Sequence, residues 1–246
     1  MPEYFYLSLL LFFVIAALYS SVGHAGASGY LAIMALLSFA PDTIKPTSLI
    51  LNVVVASIAS FKFIQAGYFD KKIFLIFIGT SIPMAFLGGY LRLDPAVFKI
   101  FAGFFLVIAA LMLVLKTFIK PQQAEISPKP TWLGLAIGAL IGLISGLIGV
   151  GGGIFLSPIL IMSNWTTVKK ASGISALFIL LNSLAGLGGH ITAIQSLDYT
   201  IFFWILAVFA GGLLGSHLGT NKYSNKIIIA ILFLVLLTAG VKFLVV

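Results

Sequence analysis

The chain reads as an all-α integral membrane protein built from two inverted repeats, and three observations predict it. Apolar residues fill 61% of the 246 positions and charged residues only 8%, against roughly half and a quarter in a soluble domain. Ten apolar segments divide evenly about one polar stretch, and most are long enough to cross a hydrocarbon core about 30 Å thick. Lastly, a glycine-rich break, a short apolar run, a lysine and a helix with an embedded asparagine occur in that order twice, about half a chain length apart.

The segments run over 4–22, 28–40, 46–66, 72–91 and 97–117, then 132–148, 153–163, 168–194, 200–219 and 225–246, with breaks at glycine, proline or charge. Residues 116–130, KTFIKPQQAEISPKP, carry three lysines, one glutamate and three prolines. They divide a first repeat, 1–120, from a second, 131–246, with 121–130 as the linker. The second segment of each half is too short to span a bilayer as a helix. Each repeat is therefore predicted as a broken or re-entrant helical hairpin followed by three transmembrane helices. Ala25-Gly26-Ala27 resembles a signal-peptidase site, but the segment before it has no basic start, and Glu3 is its early charge.

Orientation follows from the lysines. If each hairpin crosses twice or returns to its starting side, Lys45, Arg92, Lys99 and Lys242 share one side. Lys71, Lys72, Lys116, Lys120, Lys129, Lys169, Lys170, Lys222 and Lys226 share the other. The richer side is predicted to be cytoplasmic, which puts both termini outside and the linker inside. A half with an odd number of crossings also forces the repeats to be inverted, the architecture that supports alternating access about a midplane site.

Composition also excludes. The net charge of +8 is scattered among loops and span ends, which fits membrane topology and no nucleic-acid partner. With no cysteine, a thiol nucleophile or cysteine-ligated metal is ruled out. His24, His190 and His217 lack local ligand spacing, so no metal or cofactor is expected and an enzyme that depends on them is a weaker alternative. The acids Asp42, Asp70, Asp94 and Asp198 stand at segment ends, as turn or cap residues. The spans hold no carboxylate, which favours an anionic substrate over a cation or a carboxylate proton relay.

The substrate site is predicted at the two breaks. In the second, Gly149, Gly151, Gly152 and Gly153 free the backbone to turn its N–H groups toward a ligand ahead of a helix N terminus, a natural anion site. Gly142 and Gly146, with Gly134 and Gly138, are read as helix-packing glycines. In the first break Gly23, Gly26 and Ser28 offer similar geometry, with His24 as a further donor or a proton-linked switch. Ser48 and Asn52, matched by Ser175 and Asn182, add polar groups within apolar helices and are expected to line one cavity. Lys45 and Lys170, at equivalent positions, are expected at opposite mouths of the pathway, attracting an anion by field.

The breaks VGHAGASG and IGVGGGIFLSPIL, with the following KPTSLILN and KKASGISALFILLNSLAG, resemble those of the sulfite exporter TauE/SafE family of membrane transporters. The resemblance covers nearly the whole chain. It implies an inner-membrane permease for a small anion such as sulfite, an organic sulfonate or a carboxylate, acting as a secondary transporter in the lipid bilayer. An anion channel is the alternative of another class. The first break departs from the glycine run of the second at His24, Ala25, Ala27 and Ser28.

Overall fold

Three helix starts are written in the sequence as caps. Asp70 accepts from the backbone N–H groups of Lys72 and Ile73 at 3.1 and 3.3 Å, Asp94 accepts from Ala96 at 2.9 Å, and Thr167 accepts from Lys170 at 3.5 Å. Each satisfies a first-turn N–H that has no partner within its helix. A computed structural model of the chain describes residues 4–21, 24–118, 130–190, 199–218 and 225–245. Among them are ten helices: α1 (Phe5–Ser21), α2 (Ala27–Leu36), α3 (Pro41–Gln65), α4 (Lys71–Tyr90), α5 (Pro95–Phe118), α6 (Thr131–Ile148), α7 (Gly153–Met162), α8 (Val168–Gly189), α9 (Thr200–Leu218) and α10 (Asn225–Val245).

The helices α3, α4, α5, α6 and α8 are long and apolar enough to cross a membrane. By contrast α2 and α7 have ten residues each, about 15 Å of helix or half a bilayer core. Both are sheathed by other helices along most of their length, as a half-crossing segment requires in lipid. Helix α3 begins five residues before the expected start. Pro41 occupies the first turn, where a missing N–H costs nothing, and Pro46 lies inside the helix, where the Asp42 carbonyl goes without its helical donor. Lys45 is therefore a helical residue and not a loop residue.

The halves interlock. Helix α4 of the first packs along α6 of the second, and α1 along α9. At the α4–α6 seam, a Cβ on Gly138, Gly142 or Gly146 would strike the backbone carbonyl of Phe77, Ser81 or Ala85. The glycines expected to serve packing do so, and these contacts run α4 and α6 parallel. Gly211 and Gly215 of α9 lie in the same way against Phe13 and Ala17 of α1.

The matching helices of the two halves run antiparallel where they meet. Asn52 of α3 bonds Ser183 of α8, and the turn after α3 meets the start of α8, where Gly173 approaches the Tyr68 carbonyl. Gly103 of α5 and Gly240 of α10 approach each other reciprocally, and the Phe98 and Phe243 rings stand 6.4 Å apart.

This path puts the 37–40 and 91–94 turns, His190 and the end of α10 at one end of the bundle. There Lys242 donates to the Leu36 carbonyl and to Ser38 Oγ, both at 2.8 Å. The 66–70 and 163–167 turns and the start of α6 lie at the opposite end, where Trp165 packs against Gly134. Lys45, Arg92, Lys99 and Lys242 thus belong to the first end, and Lys71, Lys72, Lys169 and Lys170 to the second.

Candidate functional site

The second break is a sharp left-handed turn between α6 and α7. Gly149 ends α6 with φ 89°, and Gly151 and Gly152 follow at 75° and 79°. This is a region that costs a residue with a Cβ about 1–2 kcal/mol. Gly152 caps α7 without a side-chain acceptor, and its carbonyl accepts from Phe155 and Leu156 at 3.1 and 3.2 Å. The N–H groups of Gly153 and Ile154 have no helical partner of their own.

Three predicted residues converge on this turn. A Cβ on Gly149 would stand 3.0 Å from the Lys45 carbonyl oxygen, one on Gly151 would strike the Asn52 amide, and one on Gly153 would stand 3.2 Å from the Ser175 carbonyl oxygen. Asn52 Nδ2 donates to Ser183 Oγ at 2.8 Å, while Asn52 Oδ1 is buried without a partner, as are the Ser48 and Ser145 hydroxyls. Ser175 accepts from Ser157 of α7 at 3.0 Å, which ties α7 to α8.

The first break is built differently. Gly26, at φ 96°, caps α2, and His24 is buried with its N–H on the Tyr19 carbonyl at 2.9 Å. Two tyrosines close over this turn. The Tyr19 hydroxyl shares a hydrogen bond with Ser28 Oγ at 2.8 Å, and the Tyr30 hydroxyl donates to the Ala25 carbonyl at 3.1 Å. Gly23 and the side chain of His217 lie outside the described residues.

The two asparagines bond differently. Asn182 Oδ1 accepts from Ser81 of α4 at 2.7 Å, and its Nδ2 donates to the Phe178 carbonyl at 2.8 Å. Its oxygen joins α8 to α4 and its nitrogen bonds back to α8, whereas the Asn52 Nδ2 lies against the glycine turn. The difference arises from helix rotation, since Ser183 and not Asn182 is the α8 residue directed at α3.

The two lysines also part company. Lys45 is 5% exposed, and its ammonium donates to the carbonyls of Gly88, Gly89 and Leu91 at 3.0, 3.0 and 3.3 Å. It thereby caps the C terminus of α4, where cations are favoured. His190 Nδ1 also bonds the Gly89 carbonyl, at 3.1 Å. Burial first, and then the Lys45 charge, hold the His190 imidazole below its ordinary pKa. Lys170 lies at the other end of the bundle with its side chain 41% exposed, 3.7 Å from Asp70.

Sequence reading missed Tyr19, Tyr30, Ser81, Ser145, Ser183 and His190. A polar-tipped tyrosine four residues after Gly26, and a serine directly after Asn182, were the available signals. Nothing local marks His190 as a neighbour of Gly89.

An all-helical bundle of long apolar helices and two sheathed half-length helices defines a multi-pass membrane protein. The chain belongs to the sulfite exporter TauE/SafE family, whose profile matches residues 8–243. It is similar to the probable membrane transporter protein y4hK of Sinorhizobium fredii, 37% identical over 235 residues and 95% of each chain. The probable membrane transporter protein YunE of Bacillus subtilis is 25% identical over 221 residues, which cover 81% of this chain and 80% of the relative. The probable membrane transporter protein MJ0441 of Methanocaldococcus jannaschii is 31% identical over 160 residues, covering 62% and 58%. No solved structure matches.

Proposed function

We propose that the protein is a secondary transporter that moves a small anion, sulfite or an organic sulfonate, across the inner membrane by alternating access at the second glycine break. The observation that carries this reading is the junction of an uncapped, buried helix N terminus at Gly152 with the Asn52 amide, whose Nδ2 lies against Gly151. The N terminus of α7 supplies the partial positive charge that binds an oxyanion. Asn52 Nδ2 already lies against Gly151 and spends one hydrogen on Ser183, so its second N–H is available to an acceptor at the break. Ser48 and Ser145 add hydroxyls that donate or accept as the ligand requires.

The antiparallel pairing of α3 with α8 and of α5 with α10 is what two inverted repeats would produce. In this reading the repeats rock about the α3–α8 contact and expose the break to each face in turn. The lysine-rich end is cytoplasmic by the positive-inside rule, so both termini are extracytoplasmic. No step of this cycle makes or breaks a covalent bond, so the protein acts as a carrier and not as an enzyme.

Proteoliposomes that contain the purified protein test the reading. Saturable uptake of labelled sulfite or methanesulfonate is expected, with counterflow against the same anion inside. Flux that rises linearly with concentration would indicate a pore, and no flux of any of these anions would end the proposal.

A further inference from the structure

We propose that Lys45 carries the counter-charge of the transported anion, and that exchange of its α4 carbonyls for the anion frees the end of α4. This rests on the reading of the chain as an anion transporter. The protonation state is set by geometry, because three carbonyl oxygens at 3.0, 3.0 and 3.3 Å need three N–H donors, which only the ammonium form has.

All three acceptors are neutral. A buried charge ordinarily has an opposite partner, yet among the described residues no carboxylate lies within ion-pair reach of Lys45. Asp42, one turn earlier, is exposed. The α4 C terminus offsets only part of the charge, about half a unit. The equivalent Lys170 already faces Asp70. Of the two lysines, Lys45 is therefore the one for which a small anion completes the pairing.

Position supports the same conclusion. The backbone of Lys45 lines Gly149, so its side chain is rooted at the second break. An ammonium paired with an oxyanion gains Coulomb attraction between opposite charges that a neutral carbonyl lacks, and Leu91, the longest of the three contacts, is the first to yield. Release of the ammonium does not orphan the Gly89 oxygen, because His190 Nδ1 stays on it. Gly88 and Gly89 are wedged against the backbones of α6 and α8 at Gly146 and Gly186. Unpinning this end of α4 therefore loosens a seam between the two halves, the motion that opens the break to this face.

The test is the thermal unfolding midpoint of purified wild type, Lys45→Met and Lys45→Arg, titrated with sulfite and with methanesulfonate at constant ionic strength. For wild type the midpoint rises with anion. Lys45→Met is expected to melt below wild type without anion, because the Gly88 and Leu91 carbonyls lose their donor, so the readout is the anion dependence of the midpoint and not its starting value. Its half-saturating anion concentration is expected to rise roughly thirtyfold or more. Lys45→Arg keeps the charge and holds the response within about tenfold of wild type. A Lys45→Met response at the wild-type concentration overturns the proposal, as would loss of the response in Lys45→Arg equal to that in Lys45→Met. If Lys45→Met fails to fold, Lys45→Gln takes its place, with the same two outcomes. Absence of any anion response in wild type overturns the transporter reading itself, and this inference with it.

Discussion

The two glycine breaks occupy matching places in the two halves, yet their polar surroundings differ. At the first, the Tyr19 and Tyr30 hydroxyls take up Ser28 and the Ala25 carbonyl. At the second, no tyrosine intervenes, three glycines hold left-handed conformations, and Asn52 Oδ1 is left without a bond. A buried acceptor without a partner costs about 1–3 kcal/mol. The two breaks differ in which neighbours carry it: the Ser20 hydroxyl just before the first, and Asn52 against the second. The lysines repeat the lesson at the two ends of the bundle, with Lys45 buried on carbonyls and Lys170 half in solvent beside Asp70.

The contrast is broken or sharpened most strongly at the glycines. Gly151→Val forces a β-branched side chain into a left-handed turn and against Asn52 and Ile179, and is expected to cost about 2–5 kcal/mol and to abolish flux. Gly26→Ala meets the mobile end of Tyr30 at 2.9 Å and is expected to cost about 1–2 kcal/mol with flux retained. Equal losses of flux, measured in proteoliposomes beside a thermal melt, would make the breaks equivalent.

The asparagines give the next largest effect, and it should split by kind. Asn182→Ala removes two bonds and strands the Ser81 hydroxyl, so about 1–3 kcal/mol of stability is lost with apparent KM little changed. Asn52→Ala is expected to melt closer to wild type and to raise apparent KM roughly tenfold or more. Concentration series of flux on both variants decide this, and a KM rise confined to Asn182→Ala would move the site to the α4–α8 side.

A smaller effect is expected from pH. The His190 pKa is lowered by burial and by Lys45, so the unfolded chain binds a proton that the folded one resists. Stability is therefore present above the ordinary histidine value near 6.5 and falls as pH drops below it. Melts across this range should show a slope that Lys45→Met lessens and His190→Gln removes. The smallest effect belongs to Asp70→Asn at the opposite end, about 0–1 kcal/mol and sensitive to salt, because Lys170 and Asp70 are partly solvated. A salt series on the melt checks it.

Much of the architecture was legible because it is written locally. Apolar length marks the spans, Asp70, Asp94 and Thr167 mark starts, and glycine runs mark the two half-length helices. The start of α3 was misread, since a proline reads as a break even when the first turn tolerates it. The glycines of the second break could be nominated from sequence because three in succession have little other use.

Which polar groups those glycines face could not be nominated. Asn52 and Asn182 look alike in sequence, and so do Lys45 and Lys170. The chain alone determined that this is an all-helical membrane protein with two half-length helices, because hydrophobic length and backbone freedom are properties of adjacent residues. The tertiary structure alone decided that tyrosines meet the first break and the Asn52 amide the second, and that Lys45 lies on the end of α4. Those outcomes depend on the rotation of each helix about its axis and on the close glycine contacts of α4 with α6 and α8. Such contacts join residues tens of positions apart, and no local pattern encodes them.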